Sequence, residues 1–104
     1  MEIIQGTTPT FIFTFTDISA SDISVAYFHI AQSGSVVIEK ELTDATVDTD
    51  ENTMSFTLTQ AESLSLSTKI KAKVSLDWKL ASGIRGRSAV YEASVLVATK
   101  DEVI

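Results

Sequence analysis

Residues Thr68–Leu80 read TKIKAKVSLDWKL, and their strict alternation is the strongest structural signal in the chain. Apolar and polar side chains alternate with period two, which indicates a β-strand with one face in a core and the other in solvent. The apolar face carries Ile70, Ala72, Val74, Leu76, Trp78 and Leu80, and the polar face carries Lys69, Lys71, Lys73, Ser75, Asp77 and Lys79. A shift by one residue would bury four lysines, so the pattern also predicts the register of this strand.

The same alternation continues through most of the chain in shorter segments. Turn residues separate these segments, and Ser33-Gly34-Ser35 joins two extended runs as a predicted hairpin. The predicted strands are Glu2–Gln5, Thr10–Thr16, Ile23–Gln32, Val36–Leu42, Ala45–Val47, Thr53–Thr59, Thr68–Leu80 and Ser88–Ala98. Strands at this spacing indicate an all-β fold, and we predict an immunoglobulin-like antiparallel β-sandwich of about seven strands.

Alternation also predicts which side chains of these strands face the core. Outside Thr68–Leu80 the predicted inward residues are Phe11, Phe13, Phe15, Ala26, Phe28, Ile30, Val36, Ile38, Leu42, Met54, Phe56, Leu58, Leu64, Leu66, Ala89, Tyr91, Ala93, Val95 and Val97. One short helical turn is predicted over Gln60–Leu64, because Thr59 is followed three places later by Glu62 in a capping-box pattern.

Length and composition limit the kinds of protein that this chain can be. It has 104 residues, 44% of them hydrophobic and 21% charged, which suits a single β-sandwich domain over residues 1–104 rather than a disordered chain. It contains no cysteine and one histidine, so carboxylates are the only plentiful metal ligands. A run of acids lacks the glycine and the spaced glutamate of an EF-hand loop, and we predict no metal and no cofactor; these acids are Asp44, Asp48, Asp50 and Glu51.

Charge is distributed unevenly along the chain. The net charge is -6, with one base and ten acids in residues 1–68 and seven bases and four acids in residues 69–104. An acidic protein is a poor ligand for nucleic acid or an anionic membrane, so neither is a predicted partner. The asymmetry reflects either ordinary solvated strand faces or complementary patches that bring subunits together. The candidates for partner contact are Arg85, Arg87, Lys69, Lys71 and Lys73.

No catalytic residues are predicted. His29 has no serine or cysteine nucleophile motif beside it, and its position on a strand predicts a half-buried structural histidine. The alternative binding function is a small carbohydrate- or surface-binding β-sandwich, which needs exposed aromatic residues. Trp78 and Tyr91 are predicted to lie in the core, which leaves Tyr27 as the remaining tyrosine for such a role.

Four segments carry a resemblance to a known family: Ile4–Phe11 (IQGTTPTF), Ala26–Gly34 (AYFHIAQSG), Val37–Lys40 (VIEK) and Leu58–Leu64 (LTQAESL). In this order they resemble small proteins encoded in the tail regions of phages and prophages of Gram-positive bacteria. Those proteins are similar to the N-terminal immunoglobulin-like domain of phage baseplate upper proteins, which has a Leu-Thr-x-x-Glu-Thr-x-x-Leu-like turn before a long strand. This chain departs from the family in carrying Trp78 and a basic Arg85-Gly86-Arg87 segment.

The resemblance implies a non-enzymatic structural or tail-associated protein that acts through protein–protein contacts. Its expected partners are other tail or baseplate proteins or a second copy of the chain. Met1–Gln5 lacks the basic and apolar regions of a signal peptide, so we expect synthesis in the bacterial cytoplasm and then a place in the virion. An edge strand is expected to pair with a neighbouring subunit, either the N-terminal strand or the tail Lys100–Ile104.

Overall fold

The computed structural model describes residues 1–97, which form two β-sheets packed face to face. The strands are β1 Glu2–Ile4, β2 Thr10–Thr14, β3 Ile23–Gln32, β4 Ser35–Glu41, β5 Thr46–Asp48, β6 Thr53–Thr57, β7 Ala72–Leu80, β8 Arg85–Arg87 and β9 Tyr91–Leu96. The helix α1 covers Gln60–Leu64, as predicted, and short 3₁₀ turns cover Ala20–Asp22 and Leu42–Asp44. Ala98, the predicted end of the last strand, and the tail Lys100–Ile104 lie outside the described residues.

The strand order confirms the predicted immunoglobulin-like sandwich. The larger sheet has the order β1-β9-β7-β3-β4, with β8 pairing β7 beside β9, and the smaller sheet has the order β2-β6-β5. Every pairing in the described residues is antiparallel except that of β1 with β9, which run parallel. The predicted N-terminal edge strand is therefore the edge of the larger sheet, and its partner is β9 of the same chain.

Aromatic rings join the two sheets. Phe28 of β3 stacks on Phe56 of β6 with ring centroids 4.8 Å apart, and it also contacts Phe11 at 5.3 Å and Phe13 at 6.0 Å on β2. Phe11, Phe28 and Phe56 are buried, whereas Phe13 and Phe15 are partly buried at the side of the core. The predicted inward face of β2 is thus correct, although its burial decreases along the strand.

The long strand β7 begins at Ala72, later than the predicted start at Thr68. The cause is Gln32, a buried amide at the end of β3. Its Nε2 donates to the carbonyl oxygens of Ser67 at 2.9 Å and Ile70 at 2.8 Å, and its Oε1 accepts from the Ser67 N–H at 3.0 Å. These bonds hold the preceding segment as a turn, so Ile70 is 41% exposed instead of lying in the core.

Two more polar side chains fasten connections between strands. Ser63 of α1 is fully buried; its Oγ donates to the Thr7 carbonyl at 2.7 Å and accepts from the Gly6 N–H at 3.0 Å. Asn52 has a positive φ of 56°, which asparagine tolerates better than most residues. Its amide accepts from the Ala20 N–H at 2.6 Å and donates to the Phe15 carbonyl at 2.6 Å. Both contacts satisfy polar groups that burial would otherwise penalise.

A β-bulge corrects the prediction for Val36. The pairing of β3 with β4 shifts register between Ile30 and Ala31, so that Ile30 pairs with Ile38 but Ala31 pairs with Val36. The extra residue moves Val36 to the other face of the sheet, where it is 54% exposed. Ile38 is buried as predicted, and Leu42 packs partly against the core.

The last predicted strand, Ser88–Ala98, contains β9, and part of its predicted core face is exposed. The basic segment before it forms the additional strand β8, and β8 and β9 pair with successive parts of one edge of β7. Ala93 and Val95 are buried as predicted, but Tyr91 is 49% exposed, Val97 is 69% exposed and Ala89 is also exposed. β2 is the outermost strand of the smaller sheet, so no strand within residues 1–97 lies opposite this side of β9.

Trp78 lies on the predicted inward face of β7 but is only partly buried. Its ring makes an edge contact with Phe15 at a centroid distance of 6.2 Å, and it lies against the backbone of Gly86, its register partner on β8. A Cβ on Gly86 would come within 2.0 Å of the indole Cζ2. The indole can therefore occupy this position only because residue 86 has no side chain.

Gly86→Ala is expected to displace the Trp78 indole and lower the free energy of unfolding by about 1–3 kcal/mol, the usual cost of overpacking. Urea unfolding measures the loss, and a red shift of tryptophan emission reports greater exposure of the ring. The control is Arg85→Ala on the same strand, because the exposed Arg85 side chain lies on the other face. Equal stability and emission for Gly86→Ala and wild type would contradict this packing.

The helix α1 is fixed at its N-terminus and tied to β4. The Thr59 Oγ1 accepts from the Glu62 N–H at 3.1 Å and the Glu62 carboxylate accepts from the Thr59 N–H at 2.8 Å, which completes the predicted capping box. The same carboxylate lies 2.9 Å from the Lys40 ammonium. Partial burial acts to raise the pKa of Glu62, but the Thr59 N–H and Lys40 outweigh it and hold that pKa below the ordinary value of 4.5.

Glu62→Gln is expected to lower stability by about 1 kcal/mol near neutral pH, because it leaves the partly buried Lys40 without its anion while a capping side chain remains. The folded pKa is depressed, so the contribution is present above the unfolded pKa and is lost as pH falls through the folded one. Urea titrations from pH 7 down to pH 3 should show the wild-type advantage shrinking towards zero. A constant difference across that range would argue against the ion pair.

Candidate partner-binding surface

The strand registers place most of the strongly polar residues of the larger sheet on one side of it. We call this side the outer face; it points away from the smaller sheet. It presents Val25, Tyr27 and His29 of β3, Glu39 and Glu41 of β4, Lys73, Asp77 and Lys79 of β7, Arg85 and Arg87 of β8, and Glu92 of β9. None of these side chains belongs to the buried core.

One part of the outer face is basic, and the opposite edge is acidic. Lys79 pairs with Arg85 across β7 and β8, which makes that part of the face basic. Glu39 and Glu41 lie on β4, on the far side of β3, which makes the opposite edge acidic. The β3 residues between them carry no acid or lysine. The sequence asymmetry of charge therefore becomes a spatial asymmetry across a single sheet face.

Asp77 connects the two parts of this face. Its Oδ1 accepts a hydrogen bond from Arg87 Nε, and its Oδ2 lies 3.9 Å from His29 Nδ1. The Nε2 of His29 in turn lies 3.9 Å from Glu39 Oε1. The His29 ring also stacks on Tyr27 at a centroid distance of 6.3 Å and an interplanar angle of 8°. His29 is half-buried, as predicted, with 24% of its side chain exposed.

A shallow depression of about 670 Å³ lies on the basic part of the outer face. Its lining combines two apolar side chains and one indole with one carboxylate and three cations; it consists of Val25, Tyr27, Asp77, Trp78, Lys79, Arg85, Gly86 and Arg87. A partner side chain that enters it would meet apolar surface below and charged donors at the rim. Such a mixture is typical of protein interfaces, where arginine and tyrosine are enriched.

The five predicted contact residues fall into two separate groups. Arg85 and Arg87 border the depression at one end of β7. Lys69 and Lys71 precede the other end of β7 and are exposed, and Lys71 lies 3.9 Å from Glu92. Lys73 pairs with Glu92 in register, six residues before Lys79, which corresponds to about 20 Å along a strand. Lys69, Lys71 and Lys73 are thus not part of the depression that Arg85 and Arg87 border.

The acidic run does not gather into a metal site. Among residues 1–97, no three His, Cys, Asp or Glu side chains are grouped so that they could hold a metal ion. Asp48 Oδ1 accepts the N–H groups of Asp50 and Glu51 at 3.0 and 3.1 Å, and Asp44 Oδ2 accepts the Glu41 N–H at 3.0 Å. These carboxylates stabilise turns of the backbone.

A second concavity of about 690 Å³ lies on the open side of the sandwich, between β2 and β9. It includes Phe13, Phe15, Trp78 and Tyr91, and it is mainly apolar. Trp78 lines both this groove and the depression on the outer face. Arg87 of β8 also lines both, so the groove and the depression are two surfaces that adjoin at Trp78 and Arg87.

Sequence reasoning missed Tyr27, His29, Asp77 and Glu39 as one network. Each was placed on the correct face of its strand, but the network depends on which residues are neighbours across strands. The signal that would find it is the β3–β7 and β3–β4 register, which places Tyr27 opposite Asp77 and His29 opposite Glu39.

Comparison with known proteins supports the fold and adds no family. No protein-family model matches the chain, and no curated protein matches it by sequence. Among solved structures, the immunoglobulin-like domain of mouse leukocyte-associated immunoglobulin-like receptor 1, a strand-swapped dimer, matches with a TM-score of 0.55 and 18% identity over 92% of this chain and 86% of that one. The V domain of amphioxus IgVJ-C2 aligns with a TM-score of 0.37 and 17% identity over 90% of this chain and 97% of that one.

The fold class is thus an immunoglobulin-like β-sandwich. No helix in residues 1–97 is long and apolar enough to cross a membrane.

Asp77→Ala is expected to change the free energy of unfolding by less than about 1 kcal/mol, because its partner Arg87 is 71% exposed and solvent weakens such pairs. Phe28→Ala, measured in the same urea titration, should cost about 3–5 kcal/mol because it removes the ring that joins the sheets. If Asp77→Ala were as damaging as Phe28→Ala, the outer-face network would be part of the folding core rather than a surface free to bind.

Proposed function

We propose that this chain is a non-enzymatic structural protein of a phage or prophage tail or baseplate, acting through protein–protein contacts. The observation that supports action through protein–protein contacts is the outer face, where a basic depression and an acidic edge share one sheet surface. Complementary charge of this kind directs partners into one orientation. The partners we propose are other tail or baseplate proteins or a second copy of the chain.

The outer-face network supports a binding role better than a catalytic one. Arg87, Asp77, His29 and Glu39 form a chain of contacts along an open sheet surface. Ser75 of β7 lies opposite His29 on the same face, but no hydrogen bond joins their side chains, and the depression is wide and shallow. Reaction sites usually enclose the substrate and exclude water, which this surface does not do.

The proposed phage role rests on the sequence resemblance of four segments. The immunoglobulin-like fold is compatible with that resemblance. The mouse receptor domain, described as a strand-swapped dimer, is an example of association between domains of this fold. We propose association for this chain as well, through the outer face. In this proposal the protein is synthesised in the bacterial cytoplasm and then becomes part of the virion.

Two exposed tyrosines favour a second candidate, a small carbohydrate- or surface-binding module. Tyr27 is 39% exposed beside the carboxylate of Asp77, and Tyr91 is 49% exposed at the groove. An aromatic ring next to a carboxylate suits a sugar, because the ring packs on the sugar face and the carboxylate accepts hydrogen bonds from the sugar hydroxyls. Tyr27 would carry this function.

The decisive experiment uses particles induced from a bacterial host that carries the coding sequence. Peptide mass spectrometry of purified particles should find the chain in stoichiometric amount beside the tail proteins. The double variant Arg85→Glu/Arg87→Glu should lower its incorporation at least about tenfold, because like charges across an interface are strongly unfavourable. Lys69→Glu/Lys71→Glu is the matched control, with the same charge change away from the depression.

Salt provides a second measurement on the same particles. Retention of the chain should fall as NaCl is raised, because screening weakens contacts between exposed charges. Intact particles that lack the chain, while it is abundant in the lysate, would refute the virion role. Glycan-induced changes in tryptophan emission that disappear in Tyr27→Ala would instead favour the carbohydrate-binding module.

A further inference from the structure

We propose that β2 is a self-association edge, on which β2 of a second copy pairs antiparallel about a two-fold axis at Ile12. The pairing would join two three-stranded sheets into one six-stranded sheet. This inference concerns a surface other than the outer face and does not depend on the phage role.

The first argument is the unpaired backbone of β2. In residues 1–97, β2 pairs with β6 and is the outermost strand of its sheet. The Leu58 N–H donates to the Pro9 carbonyl at 3.0 Å and the Phe15 N–H donates to the Asn52 carbonyl at 3.0 Å. Hydrogen-bonded pairs alternate in an antiparallel ladder, so the odd-numbered residues of β2 face β6. The N–H and C=O groups of Thr10, Ile12 and Thr14 therefore point to the free side.

The second argument is charge. Edge strands usually carry charged residues that prevent pairing with another chain. The edge strand β4 contains Glu39, Lys40 and Glu41, the edge strand β5 contains Asp48, and β1 contains Glu2. Residues 7–16, which include all of β2, contain no charge. A second copy with a net charge of -6 is repelled by most of this molecule, and β2 is the edge at which that repulsion is weakest.

The side of β2 and β6 that points away from the core is also uncharged, although the groove on the inner side includes Asp17 and Arg87. The exposed side of β2 and β6 consists of threonine and serine with one isoleucine at its centre; these residues are Thr10, Ile12, Thr14, Thr53, Ser55 and Thr57. Ile12 is 66% exposed. The adjoining groove leaves Phe13 and Phe15 only partly buried, so a strand placed along β2 would also cover apolar surface on the inner side.

The bounds of β2, Thr10–Thr14, determine the register of the proposed pairing. Full overlap of two antiparallel β2 strands places Ile12 opposite Ile12 of the second copy and Thr10 opposite Thr14 of the second copy. These residues are the ones whose backbone groups are free, so three pairs exchange two hydrogen bonds each, six in all. On the inner side Phe11 of one copy faces Phe13 of the other, which adds a cross-strand aromatic contact.

Sedimentation equilibrium of the full chain tests the proposal. Wild type should form dimers as its concentration rises to the millimolar range, and Ile12→Lys should raise the dimer Kd at least about tenfold because two lysines would meet at the axis. The matched control is Val36→Lys, an exposed apolar residue on the edge strand β4, which should leave Kd unchanged. Both substitutions are at solvent-exposed positions, and circular dichroism with thermal melting verifies that each variant folds.

A mixture of Ile12→Lys with Ile12→Glu is the sharper test. If the axis passes through Ile12, unlike charges meet only in the mixed dimer, which should be at least about tenfold tighter than either variant alone. Dimerisation of the wild type should not weaken in NaCl, in contrast to contacts of the outer face. A wild type that stays monomeric, a mixture no tighter than its components, or an effect of Val36→Lys equal to that of Ile12→Lys would each overturn the proposal.

Discussion

The contact of Phe28 with three phenylalanines of the smaller sheet is the interaction on which the rest of the structure depends. The chain has no disulfide, so noncovalent contacts hold the sheets together, and Phe28 lies on β3, an interior strand of the larger sheet, with no exposed surface. Its stacking on Phe56 and its contact with Phe11 set how the two sheets face each other. That arrangement in turn directs Tyr27 and His29, its neighbours on β3, to the outer face, where the polar network forms.

Alternation predicted the fold well, because a β-strand has only two faces and a one-residue error would bury charge. The lysines of β7 fixed its register, the phenylalanines of β2 identified the core, and the Thr59–Glu62 pair identified α1. These signals are local, since each depends on neighbouring residues and on a fixed period. The immunoglobulin-like class followed from the number and spacing of strands, and the comparison with solved structures confirms it.

Features that depend on distant contacts were beyond the reach of the sequence. The bulge that exposes Val36 is a property of two paired strands, and the exposure of Tyr91 reflects the absence of a strand opposite it. The late start of β7 depends on the amide of Gln32, which is far away in sequence. Likewise, the candidate residues Arg85 and Arg87 were recognised as basic and exposed, but their link through Asp77 to His29 requires the strand register. Alternation along a strand predicts which sheet face a side chain lies on. It does not predict how deeply that side chain is buried or which residue lies next to it on the neighbouring strand.

The parallel pairing of β1 with β9 has a consequence for how the chain folds during synthesis. Ile3 leaves the ribosome long before its register partner Val95, because 92 positions of sequence separate the two residues. The Ile3 side chain therefore cannot become buried beside β9 until β9 has been translated. Contacts of such long sequence separation slow folding and leave intermediates exposed. Closure of the sheet by β1 is thus a late step, and a nascent chain that stalls before β9 would expose an incomplete sheet edge to the quality-control machinery of the cell.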